Sequence, residues 1–393
     1  MLDANAIIAD AQREVGIDDT DAGVARNLKR LVAAILSEGG QSAEGLAKTR
    51  ENLLRDTVAR LDGLKWLRDY PEIAAEPIIA PVFLMGLPRS GTTYLQYLFD
   101  RDPRFRLIRT WESLMPSPPP GFDPDSAQRR KAQWAEVRRQ LSPPFEGFDA
   151  LHLIDEDGSD ECHAFLEQSF GAAGLNNLYR VPSYFDYLLD EADLVETYRI
   201  HKRQLQLLQW RSPTKSWALK YPNHLLAMDE ILSVHPDARM VMTHRDPVQT
   251  LASICKMTFN LRGMRGGAPI DKHQVGRDML HFITRHVERI MTFDAAAASG
   301  RVVHVDYYAL VADPVSQMHR IHADLGIGTP AEVTEAVEGW HRANPKNARG
   351  RNDYALAEYG IDEAQARERF AAYIRRFAIP TEQDGLTTIA AFA

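Results

Sequence analysis

Apolar residues at three- and four-residue spacing dominate the start of the chain. Ile7, Ile8, Ala11 and Val15 fall on one helical stripe, and Leu28, Leu31, Val32, Ile35 and Leu36 on another. Gly39-Gly40 breaks the pattern, and helical spacing resumes from about Ala43 to Tyr70. The rhythm then changes. Short apolar runs at 81–85 (PVFLM), 217–220 (WALK), 238–244 (ARMVMTH) and 301–307 (RVVHVDY) have the character of buried strands. Each is followed by a helical pattern: TTYLQYLFD, HLLAMDEILSVH, a helix capped by Asp246 with Pro247 in its first position, and Pro314 to Leu325. Further helical patterns cover 126–141, 161–170 and 184–210. The prolines of 115–125 (MPSPPPGFDPD) exclude helix and central strand and predict a surface loop or lid.

Strands alternating with helices predict an α/β fold of three layers: a parallel central sheet with helices on both faces, plus a helical N-terminal extension. Residues 1–78 are read as a helical cap or arm and 79–393 as the α/β domain. The extension either packs on the main domain or serves dimerisation or substrate covering, so a homodimer is one expectation.

Composition narrows the class. Of 393 residues, 45% are apolar and 25% charged, the balance of a soluble globular protein. A net charge of −8 argues against a general nucleic-acid binder. Cys162 and Cys255 stand far apart, which suggests neither a zinc site nor a disulfide framework. The acidic, amphipathic N-terminus lacks the regions of a signal peptide, and no apolar run reaches the ~18 residues of a membrane span, so a cytoplasmic protein is expected.

The first apolar run ends in GLPRSGTTY, Gly86 to Tyr94. Strand, glycine loop and helix N-terminus in this order build an anion site from backbone N–H groups, to which the helix dipole adds. Gly86 and Gly91 permit the turn, Ser90, Thr92 and Thr93 offer hydroxyls, and Arg89 is the cation. Thr92 stands where a nucleoside-triphosphate loop has its lysine. The next strands end in Lys220 and in His244-Arg245 rather than in an acid that would hold Mg²⁺. A donor held by arginine and lysine, without metal, fits this set better than a metal-bound triphosphate.

Pro88-Arg89-Ser90-Gly91-Thr92-Thr93 resembles the 5′-phosphosulfate loop of the sulfotransferases that use 3′-phosphoadenylyl sulfate (PAPS), in the arginine form of tyrosylprotein and many bacterial members. Arg245-Asp246-Pro247, with Ser253 eight residues after the arginine, is similar to their second signature, which holds the 3′-phosphate. The resemblance covers roughly residues 80 to 380. It implies PAPS as donor, adenosine 3′,5′-bisphosphate as product, no metal, and an acceptor hydroxyl on a small or lipid-like molecule. It also implies roles. Arg89 and Lys220 would hold the transferred group, and Ser253 would tune the donor. Tyr307 would lie beside the adenine, although the acidic residues expected after it are Tyr308 and Ala309 here. Lys346, Arg349, Gly350 and Arg351 would close over the 3′-phosphate.

Sulfuryl transfer needs a base for the acceptor hydroxyl. Glu112, in RLIRTWESLMP, is the first choice, with Trp111 and Leu114 to desolvate it; its alternative is a structural ion pair with Arg109. His152 is the fallback, and Glu161 and His163 are weaker candidates. The competing function is phosphoryl transfer by a small-molecule kinase on the same kind of loop.

Overall fold

The computed structural model describes the chain apart from residues 19–20, 141–157, 213–214, 265, 268, 295, 297–299, 345–354 and 392–393. Three helices open it. In α1 (Ala4–Val15) the Asp3 carboxylate accepts the Ala6 N–H at 2.7 Å, and Gly16 ends the helix in the left-handed region. Asp21 and Ser42 cap α2 (Ala22–Glu38) and α3 (Ala43–Asp69) in the same way. Leu28, Leu31 and Ile35 of α2 join Phe83, Met85 and Leu219 in one apolar core. The buried face of the N-terminal helices is therefore continuous with the core under the sheet.

Five parallel strands form that sheet: β1 (Val82–Gly86), β2 (Phe105–Arg106), β3 (Ser216–Lys220), β4 (Arg239–His244) and β5 (Val302–Asp306), in the order β2-β3-β1-β4-β5. Successive side chains of β1 point to opposite faces. Phe83 and Met85 enter the core shared with α2, while Val82 and Leu84 join Val241, Val303 and Val305 on the other side. Both faces of β1 are covered, which is why it reads as an unbroken apolar run. The two-residue β2 is too short to leave a pattern in the sequence.

Two expected helices are shorter than their patterns. The segment after β3 begins as a 3-10 turn, Pro222–Ala227, before the helix Met228–Val234. Of 161–170, only His163–Glu167 is helical, and the backbone leaves the helix at Phe170 with φ 58°. The helix α4 (Thr92–Phe99) follows the glycine loop, α5 (Thr110–Leu114) carries Glu112, and α6 (Pro124–Gln140) follows the prolines. Arg130 of α6 donates to the carbonyls of Met115 and Pro118, so the proline-rich loop is tied to the body at that point.

The central strand is β1. The chain leaves it between β3 on one side and β4 on the other, and ligands of open α/β sheets bind at this reversal of strand order, beyond the carboxyl ends. No helix among the described residues is long and apolar enough to cross a membrane.

Candidate active site

The glycine loop turns tightly off β1. The Ser90 N–H reaches back to the Leu87 carbonyl at 3.0 Å, and Arg89 takes φ 74°, a conformation costly for a residue with a Cβ. Gly91 caps α4 at φ 91°, where an added Cβ would lie 2.4 Å from the Tyr307 ring. A side chain at 91 is excluded twice, by backbone strain and by that ring. Ser90 is fully buried and shares a hydrogen bond of 2.8 Å with Thr243 of β4. Its hydroxyl therefore fastens the loop to the sheet, and the groups left to face an anion are backbone N–H donors, Thr92, Thr93 and Arg89.

Arg89, in the loop after β1, and Arg245, just beyond the end of β4, meet here. Arg245 Nη1 donates to the Arg89 carbonyl at 3.0 Å, and Arg89 Nε donates to Ser253 Oγ at 3.1 Å. Ser253 is buried within the helix Pro247–Gly263, which Asp246 caps through the Val248 N–H at 3.0 Å. The Arg245 guanidinium lies over the Tyr307 ring, 4.6 Å from its centroid. Tyr307 thus touches both the glycine loop and Arg245. Loop, strand-end arginine, helix serine and tyrosine are brought into one cluster.

Lys220 completes the cationic set from β3. Its side chain is 1% exposed, its Nζ donates to Thr93 Oγ1 at 3.2 Å, and it forms an ion pair with Glu161. Burying a lysine demands such a partner. The next residue, Cys162, hydrogen-bonds to the Lys220 carbonyl at 2.8 Å, and that backbone contact places Glu161 beside the strand end. His163 bonds Glu167 through Nε2 at 3.0 Å and Tyr221 through Nδ1 at 3.2 Å. Burial pulls its pKa down, but Glu167, Glu161 and Asp160 together raise it to about 9.

Glu112 is 3% exposed, with both oxygens engaged: Arg106 donates to one at 2.6 Å, and the Arg109 backbone N–H to the other at 2.9 Å. The expected partner is replaced. Arg109 sends its guanidinium to Asp100 at 2.8 and 3.0 Å, and Arg106 takes the ion pair with Glu112. Trp111 is buried beside it, whereas Leu114 is 42% exposed. His152, Lys346, Arg349, Gly350 and Arg351 lie outside the described residues.

Two participants escaped sequence reasoning. Thr243 is one more apolar-strand residue until its hydroxyl is seen on Ser90. Glu382, in the last helix (Glu382–Ala391), binds Arg245 through both oxygens at 2.6 and 3.0 Å. It stands 137 positions from its partner, and no local pattern marks it.

A sequence model of the sulfotransferase family matches residues 81–331, the segment that carries the glycine loop, Lys220, Arg245, Ser253 and Tyr307. Over 269 residues the chain is 26% identical to the omega-hydroxy-beta-dihydromenaquinone-9 sulfotransferases Stf3 of Mycobacterium bovis and Mycobacterium tuberculosis; the alignment covers 65% of this chain and spans only 65% of their length. The crystal structure of sulfotransferase STF9 from Mycobacterium avium superposes with a TM-score of 0.87 at 27% identity, covering 97% of this chain and 98% of that one. Sulfotransferase STF1 from Mycobacterium tuberculosis gives 0.80 at 30% identity, over 94% and 98%. The chain belongs to the sulfotransferase family.

Proposed function

We propose that the protein transfers a sulfuryl group from PAPS to the hydroxyl of a small, lipid-like acceptor, without metal. The observation that carries this reading is the convergence of Arg89, Lys220 and Arg245 on the one glycine loop, against which Tyr307 packs at Gly91. Such a site fits a donor that is anionic at both ends of an adenosine. The Arg89 side chain and the loop N–H groups would hold the 5′-phosphosulfate end, Arg245 and Ser253 the 3′-phosphate, and Tyr307 would flank the adenine. Lys346, Arg349, Gly350 and Arg351 would cover the 3′-phosphate. When bound, PAPS supplies the activated sulfuryl group. Lys220 would neutralise the sulfuryl oxygens, and a carboxylate would take the acceptor proton.

Glu112 is the base in this reading. A second assignment, Glu161, is favoured by one observation: its carboxylate already touches Lys220. The lipid-like acceptor is supported by the menaquinone derivative in the name of the Stf3 relatives. We read the helices within 1–78 as a cap or arm on a 79–393 α/β domain, a reading that must accommodate the core the two segments share.

The test is thermal. Adenosine 3′,5′-bisphosphate should raise the melting temperature in the presence of a chelator, and more than ATP with Mg²⁺ does. The reverse order would move the protein to the phosphoryl-transfer alternative. Arg245→Ala and Ser253→Ala should each weaken binding of the bisphosphate in calorimetry, and unchanged affinity would remove them from the site.

A further inference from the structure

Arginine is a long side chain, and aiming it at a ligand costs rotamer entropy unless something already holds it. Arg245 is held from behind. Its Nε and Nη2 grip the two oxygens of Glu382 at 3.0 and 2.6 Å, its Nη1 donates to the Arg89 carbonyl at 3.0 Å, and its plane rests over Tyr307. A guanidinium has five N–H donors. Glu382 takes two of them and Arg89 one, which leaves two.

Glu382 is itself fixed by more than the arginine. The Tyr308 hydroxyl donates to its Oε2 at 2.6 Å, and its own backbone N–H donates to Asp246 Oδ2 at 3.1 Å. One turn further on, Gly385 lies so close to the Tyr308 ring that an added Cβ would sit 2.3 Å from it, so the helix is seated without a gap. A carboxylate that merely occupied a vacant phosphate site would hang on the arginine alone. This one is bolted to the frame through the residue after Arg245 and the residue after Tyr307. It also lies beyond residues 81–331, outside the stretch that the family model describes.

We infer that Glu382 is a positioning residue of the donor site: the last helix brings its carboxylate behind Arg245 and fixes the guanidinium so that its two remaining N–H groups are aimed in advance at the 3′-phosphate. The inference rests on the PAPS reading. The carboxylate touches no reacting atom and acts only through the arginine.

Calorimetric titration with adenosine 3′,5′-bisphosphate and with adenosine 5′-phosphate, which lacks the group Arg245 would hold, tests it. Glu382→Gln should weaken the bisphosphate about tenfold and leave the monophosphate within about twofold, as loss of one charge-assisted contact implies. Tyr308→Phe, which removes one anchor and carries the test if the first variant fails to fold, should weaken the bisphosphate about threefold with the same selectivity. Equal weakening of both nucleotides would make Glu382 a purely structural residue and overturn the inference. Unchanged or tighter binding of the bisphosphate would overturn it too, the tighter result marking Glu382 as a competitor. If the unaltered protein binds the bisphosphate no better than the monophosphate, it is the PAPS reading itself that fails.

Discussion

Gly91 concentrates the stereochemistry of the site into one missing atom. Its φ of 91° and the 2.4 Å approach to Tyr307 leave no room for a methyl group. Gly91→Ala should abolish the bisphosphate-induced rise in melting temperature, because the loop must shift to relieve the clash; a rise equal to that of the unaltered protein would show that the loop tolerates the displacement. The two candidate bases separate in the same way. Glu112→Gln should cut turnover about 100-fold or more while leaving donor binding near normal, as removal of a general base does. If turnover survives and Glu161→Gln shows that loss instead, the base is the carboxylate on Lys220. A fall in the unfolding midpoint confined to Glu112→Gln would trace to its ion pair with Arg106 and its cap on α5.

Among the elements, the helix Pro247–Gly263 owes its start to Asp246, which does more than cap it. One carboxylate oxygen accepts the Val248 N–H, and the other receives Arg367 at 3.2 Å and the Glu382 N–H at 3.1 Å. Loss of a cap costs about 1 kcal/mol. Asp246→Ala should exceed that figure in urea unfolding because it also frees two C-terminal contacts, while Asp246→Asn should recover part of the loss; equal effects would reduce the residue to charge alone. The element pattern was largely legible in the chain. β1, β3 and β4 were readable because nearly every position of each is buried, whereas β5, which alternates half-buried and buried positions, was readable from its β-branched valines. The helix predicted over 161–170 was not, because its apolar residues serve an irregular turn around Gly171, where a Cβ would meet Thr197 at 2.5 Å.

At the scale of the whole molecule, acid should unfold the protein earlier than its carboxylates alone require. His201, His244 and His286 are fully buried and are pulled down to about 3 by burial, and His235 and His322 to about 4. In the unfolded chain they protonate near pH 6.5. Between about 6.5 and 4 the unfolded state therefore binds more protons, and stability falls as the pH falls. Burial and Glu167 raise the Asp56 carboxyl, burial raises Glu230 and Asp306, and His163 is raised too, all with the opposite sign; but burial lowers His224 and His304 as it does the other five, so among the described residues seven lowered imidazoles stand against four raised groups. The melting temperature should drop between pH 7.5 and 5.5; a flat profile would mean that the imidazoles reach solvent.

The sequence by itself determined the class of the sheet, the phosphate-type loop and the spacing of Arg245 to Ser253, since each is written in neighbours whose burial or backbone geometry leaves a local trace. Only the tertiary structure decided who pairs with whom. Lys220 with Glu161, Ser90 with Thr243, Arg106 in place of Arg109 on Glu112, and Glu382 behind Arg245 are matches between charges and hydroxyls brought together by the packing of distant elements. A charged residue looks the same in the chain whether solvent or a buried partner will neutralise it, so no periodicity can announce which it will be.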